Sequence, residues 1–116
     1  MDLNGVEVLE RPGDAAAVAA RAGRLGSGEA WLAGGTWLFS EPQPGLRALV
    51  DLQGAGWTPL SVGPEGLEIA ATCTIAELDA LEAPADWRAA ALIGRCCRAF
   101  LASFKIWTVA TVGGNL

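Results

Sequence analysis

Two diglycine segments, each carried on the end of an apolar run that reads as a strand, constrain this chain more than any other feature: Ala33-Gly34-Gly35-Thr36 and Ala110-Thr111-Val112-Gly113-Gly114-Asn115. Glycine reaches backbone conformations closed to other residues, and without a Cβ it lets main-chain N–H groups approach an anion such as a pyrophosphate. The hydroxyls of Thr36 and Thr111 and the side-chain amide of Asn115 add directed hydrogen-bonding groups beside them. A single Gly-Gly pair is ordinarily a tight turn. Two pairs with matching polar neighbours point instead to phosphate binding. Neither segment carries the spacing of a P-loop or of a Rossmann fingerprint, so those two classes are set aside.

A chain of 116 residues makes one small domain, with room for a single core. Its apolar fraction of 52% against a charged fraction of 18% fits a packed protein and leaves apolar surface for a partner or further chain to cover. A net charge of −5 argues against nucleic acid as the principal ligand, because phosphate backbones recruit basic surfaces. A small anionic cofactor is compatible with that charge, since backbone dipoles bind diphosphates locally. The start of the chain lacks a signal-peptide pattern, and no run approaches the length of a membrane span. Together with three cysteines in no framework spacing, this gives a cytoplasmic expectation. Cys96 and Cys97 are adjacent, which is poor geometry for one metal, and the chain has no histidine. The expectation is therefore no metal site, with Cys73, Cys96 and Cys97 serving as small core residues.

Pattern and punctuation predict an α+β chain that begins as a β-α-β unit. Val6–Leu9 reads as a strand, and Asp14 caps a helix from Ala15 whose apolar stripe is Val18, Ala19, Ala22 and Leu25. Ala30–Ala33 forms a second strand running into the first glycine loop, and Ala48–Leu52 a third, largely buried one. Ligands of such units tend to lie beyond the carboxyl ends of the strands. A second section, 57–116 after a first of 1–56, starts with a hairpin: Thr58–Val62 and Leu67–Ala71 flank the turn Gly63-Pro64-Glu65-Gly66. Thr74-Ile75-Ala76-Glu77 matches a capping box and predicts a short helix through Leu81. The spacing predicts a long helix over Asp86–Phe104, with Ile93, Cys97, Phe100, Leu101 and Phe104 on one side. Arg88, Arg95, Arg98 and Lys105 share the other arc, either a solvated face or a docking patch for an acidic partner. Val109–Val112 reads as a strand delivering the second glycine loop.

Four segments in this order, Leu32-Ala33-Gly34-Gly35-Thr36, Leu49-Val50-Asp51-Leu52, Leu67-Glu68-Ile69 leading into Thr74-Ile75-Ala76-Glu77-Leu78, and Ala110-Thr111-Val112-Gly113-Gly114-Asn115-Leu116, resemble the FAD-binding medium subunit of molybdenum hydroxylases. These are subunits of the carbon monoxide dehydrogenase and xanthine dehydrogenase type, with a vanillyl-alcohol oxidase-like fold. The resemblance covers nearly the whole chain and the N-terminal portion of the family pattern. It implies two α+β subdomains with FAD between them: Ala33, Gly34, Gly35 and Thr36 on the diphosphate from the first, and Thr111, Gly113, Gly114 and Asn115 from the second. It also implies two partners, a molybdopterin-binding subunit and a [2Fe–2S] subunit, with the flavin passing electrons to an acceptor. Trp37 departs from the family, which usually has a polar residue there. The family pattern also continues past the second loop, so the expectation is a fragment or a truncated copy.

No residue set here suits acid–base, nucleophilic or metal chemistry, and no catalytic side chain is assigned. Asp51 and Glu77 read as structural, closing a strand and a cap. Any redox chemistry then belongs to the isoalloxazine ring, which the polypeptide positions and tunes. Trp37 and Trp107 lie near the glycine loops, placed either to stack on an aromatic cofactor or to be buried in a core or interface. Two functions remain open: an FAD-binding subunit, and a non-enzymatic remnant that keeps the scaffold as an interaction module.

Overall fold

A computed structural model describes residues 3–100 and 102–116, which divide into two compact units, Met1–Trp57 and Thr58–Leu116. Helices and small sheets are mixed in an α+β arrangement.

In the first unit, β1 (Val8–Glu10), β2 (Glu29–Leu32) and β3 (Ala48–Asp51) build a parallel sheet in the order β1-β3-β2, and α1 (Ala15–Ala22) lies between β1 and β2 in sequence. Val8 pairs with Ala48 on one side of β3, and Ala30 with Leu49 on the other. Central placement explains why Ala48-Leu49-Val50-Asp51 is an unbroken run rather than an alternating one, since every residue of β3 is buried. Asp14 caps α1 by accepting the Ala17 N–H at 2.8 Å.

The apolar stripe read along α1 holds only in part. Val18 is buried, but Ala19 and Ala22 face solvent, and the second buried position is Arg21. Arg21 lies one turn from Val18 on the same face. Its stem is covered, and its guanidinium donates to Glu10 at 2.9 Å, to Glu29 at 2.7 Å and to the Arg24 carbonyl at 3.0 Å. The end of β1, the start of β2 and the end of α1 are thus tied to one cation. A hydropathy stripe scores arginine as surface and so misses it.

In the second unit, β4 (Leu60–Gly63) and β5 (Gly66–Ile69) form an antiparallel hairpin across Pro64-Glu65, with Leu60 opposite Ile69 and Val62 opposite Leu67. The capping box forms as read: the Glu77 N–H donates to Thr74 Oγ1 at 3.1 Å, and the Thr74 N–H to the Glu77 carboxylate at 2.8 Å. It starts α2 (Ile75–Asp79). The long helix over Asp86–Phe104 is shorter than its pattern: α3 spans Ala90–Ala99 and ends where Phe100 turns extended. Cys97 is its buried residue, Phe104 is largely exposed, and Leu101 lies outside the described residues. Arg98 reaches Asp79 at 3.2 Å, tying α3 to α2. Cys73 and Cys97 are buried as expected, with burial pushing both thiols up, but Cys96 is exposed.

Val109–Val112 is not a strand. The Val109 and Ala110 N–H groups both return to the Ile106 carbonyl, 3-10 turns occupy Ile106–Thr108 and Gly113–Asn115, and one bridge joins Thr111 to Thr74. Alternation is present in the sequence, but no neighbouring strand accepts the segment. Ala110 instead completes a core with Ile75 and Cys97, against Leu78, Phe100, Trp107 and Val112.

The ion triad sets a pH dependence. The Arg21 hydrogen bond, aided by the Gly26 N–H, holds the Glu29 carboxyl below its ordinary value. A carboxyl depressed in the folded state contributes stability above its unfolded pKa, and that contribution is lost as pH falls through the folded value. Urea midpoints of the wild type should therefore fall on acidification below about pH 4.5. Glu29→Gln should lower the midpoint at pH 7 and flatten that fall. An unchanged acid slope in Glu29→Gln would contradict the triad's role.

Candidate functional site

The first glycine loop leaves the carboxyl end of β2, on the edge of the sheet where β1 and β3 also end. Three contacts brace that edge. Arg11, following β1, pairs with Asp51 at the end of β3 at 2.6 Å. Asp51 also accepts the Gln53 N–H at 2.9 Å, and the Gln53 side chain donates to the Ala33 carbonyl at 3.2 Å. Asp51 is buried, so its carboxylate is satisfied by an ion pair and a cap together. Sequence reasoning read Asp51 as closing a strand and passed over Arg11 and Gln53. Their partners lie 40 and 20 positions away, a separation that no local pattern encodes.

Beyond Ala33 the chain turns sharply. Gly35 has φ +80°, and a Cβ there would stand 2.6 Å from the Phe39 ring, so both conformation and space require glycine. The Phe39 N–H returns to the Gly35 carbonyl at 2.9 Å, and the Ser40 N–H to that of Trp37 at 2.9 Å. Among the described residues, the N–H groups of Gly34, Gly35, Thr36, Trp37 and Leu38 find no acceptor, and the Thr36 hydroxyl makes no hydrogen bond. Five successive main-chain donors without a protein acceptor, on a loop half-buried except at the exposed Trp37, are groups of the kind that bind an anion.

The second loop has the opposite accounting. The Gly113 N–H donates to the Ala71 carbonyl at 3.0 Å, the Gly114 N–H to Thr111 Oγ1 at 3.2 Å, and the Asn115 N–H to the Val112 carbonyl at 3.1 Å. The Asn115 side chain donates to the Thr111 carbonyl at 2.9 Å. The Val112 N–H meets the Cys73 carbonyl at 2.8 Å, and the Ile75 N–H the Ala110 carbonyl at 2.9 Å. Residues 110–113 are thereby sewn onto 71–75. Gly113 is required by that closeness, since a Cβ would lie 2.7–2.9 Å from Cβ, Cα and the carbonyl oxygen of Ala71. Thr111 is 1% exposed.

Among the described residues no group of three or more Cys, Asp or Glu is placed to hold a metal ion, and no helix is long and apolar enough to cross a membrane. Arg98 of the basic arc is engaged with Asp79, while Arg95 has no carboxylate within ion-pair distance among the described residues.

Gly113→Ala should cost about 1–3 kcal/mol, because the added methyl meets backbone rather than a yielding side chain. Gly63→Ala, with open space around its Cβ, should stay within about 0.5 kcal/mol of the wild type. Chemical denaturation of both variants checks this, and equal stabilities would contradict the sewn arrangement.

No protein-family model and no curated protein matches the sequence. Solved structures do match. The protein is similar to a chain of a cyanide-inactivated Cu,Mo-CO dehydrogenase at 26% identity and a TM-score of 0.77. It is similar at 26% and 0.78 to a reconstituted CO dehydrogenase from Oligotropha carboxidovorans. A carbon monoxide dehydrogenase from Hydrogenophaga pseudoflava lacking the Mo-pyranopterin moiety matches at 18% and 0.75, a likeness of fold alone. Each match covers 99% of this chain and 40% of the other. The resemblance carried by the motifs is thus matched in three dimensions: this chain is similar in structure to a part of a carbon monoxide dehydrogenase chain.

Proposed function

We propose that this chain is an FAD-binding subunit, or a portion of one, in a cytoplasmic molybdenum hydroxylase complex. In that role it takes electrons from a [2Fe–2S] partner beside a molybdopterin-binding subunit and passes them to an acceptor. The observation that carries the reading is the row of unpartnered amides from Gly34 to Leu38 at the carboxyl edge of a parallel sheet. The likeness to carbon monoxide dehydrogenase chains supports it.

The first loop fits a diphosphate. Gly34, Gly35 and Thr36 would donate main-chain hydrogen bonds to its oxygens, with the Thr36 hydroxyl adding another. Hydrogen bonds to a charged group are worth about 1.5–3 kcal/mol each. Ala33 sets where the loop departs, its carbonyl anchored by Gln53. The second loop offers less, because the amides of Gly113, Gly114 and Asn115 and the hydroxyl oxygen of Thr111 already have partners. What it retains for a ligand is the Asn115 side-chain carbonyl, on a residue that is exposed together with Gly114. When bound, the flavin supplies the redox chemistry through its isoalloxazine ring, and no side chain of this chain takes part in a bond-making step.

The occupied amides of the second loop favour a second reading, a scaffold that no longer holds flavin. Titration of the purified chain with FAD, followed by visible absorbance and calorimetry, separates the two. The proposal expects saturable one-to-one binding. It expects Thr36→Ala to weaken that binding about ten- to hundredfold, and Gly35→Ala, strained at φ +80°, to weaken it at least as much. Absence of binding by the folded wild type would leave the scaffold reading.

A further inference from the structure

Trp37 sits inside the row of unpartnered amides, two positions past Gly35, and most of the residue lies in solvent: it is 61% exposed. Its apolar neighbours along the turn are more covered, Phe39 at 39% exposure. The Phe39 ring lies against Gly35, and Leu38 is half-buried. The backbone at Trp37 is held, since its carbonyl accepts from both the Ser40 N–H at 2.9 Å and the Ser40 hydroxyl at 2.6 Å. A large aromatic side chain on a held backbone, left in solvent beside a set of anion donors, forgoes burial that ordinarily stabilises a fold. An indole loses little conformational entropy on stacking, with two side-chain torsions to fix.

We infer that Trp37 is the ring-recognition residue of this loop: it stacks on a planar heteroaromatic ring attached to the diphosphate that the amides of residues 34–38 hold. The inference rests on the proposed diphosphate site and adds to it a residue that recognises the ligand's ring, which a bare phosphate chain would not engage. Both halves of a flavin dinucleotide carry such a ring, so adenine and isoalloxazine are the two sources of the shared chemistry.

The test uses the full chain, with pyrophosphate, ADP, FMN and FAD as separate probes in calorimetric titrations of the wild type, Trp37→Phe and Trp37→Ala. Trp37→Ala is expected to weaken FAD about tenfold or more while leaving pyrophosphate unchanged, and Trp37→Phe to retain most of the affinity. Loss confined to ADP and FAD assigns the adenine ring, and loss confined to FMN and FAD the isoalloxazine; either supports the inference. Quenching of FAD fluorescence in the wild type that is relieved in Trp37→Ala is the accompanying spectroscopic signature. Unchanged FAD affinity in Trp37→Ala overturns the stacking while leaving the diphosphate site standing. Equal weakening of all four probes also overturns it, because the substitution then acts on the loop. Failure of the wild type to bind any probe removes the diphosphate site and this inference together.

Discussion

Main-chain donors without acceptors are the constraint on which the functional reading depends. A buried N–H left unpaired costs about 1–3 kcal/mol, so folded chains rarely leave several in succession unless water or a ligand takes them. Residues 34–38, half-buried except at the exposed Trp37, leave theirs without a protein acceptor on a loop whose shape is specified by the positive φ of Gly35, by Phe39 against it, and by the Gln53 contact to Ala33. A loop so held does not reorganise to meet a ligand, and the ordering entropy of binding is small. The chain's net negative charge poses no obstacle, because main-chain N–H groups act locally as neutral dipoles.

The two diglycine segments look alike in sequence and differ in use. At Gly35 the missing Cβ permits a backbone angle; at Gly113 it permits contact with Ala71. The first leaves amides free, and the second exhausts them in joining 110–113 to 71–75. That joining gives the second unit its core, since Ile75 and Ala110 are brought together by the same backbone bonds that hold Thr111 beside Thr74.

Much of the fold was legible because it rests on local signals. The strands β1 to β5 lie within a residue or two of where apolar runs and turn residues put them, and the capping box of Thr74 and Glu77 forms as its spacing implies. What escaped was long-range. Arg21 occupies a core position because two carboxylates from different strands meet it, and the Arg11–Asp51–Gln53 brace depends on the sheet bringing its ends together. Val109–Val112 carried strand-like alternation and found no strand to pair with, and α3 stopped at Ala99 although the apolar spacing continued. For the candidate site, glycine identity marked both loops, but which amides were free depended on partners elsewhere in the chain.

Hydrogen exchange, resolved by residue and recorded with and without FAD, tests the central claim most directly. Amides 34–38 should exchange quickly in the free chain and slow markedly when FAD is present, whereas those of Gly113, Gly114 and Asn115, bonded in both states, should change little. Unaltered exchange at 34–38 under saturating FAD, or protection of those amides before any ligand is added, would contradict the account.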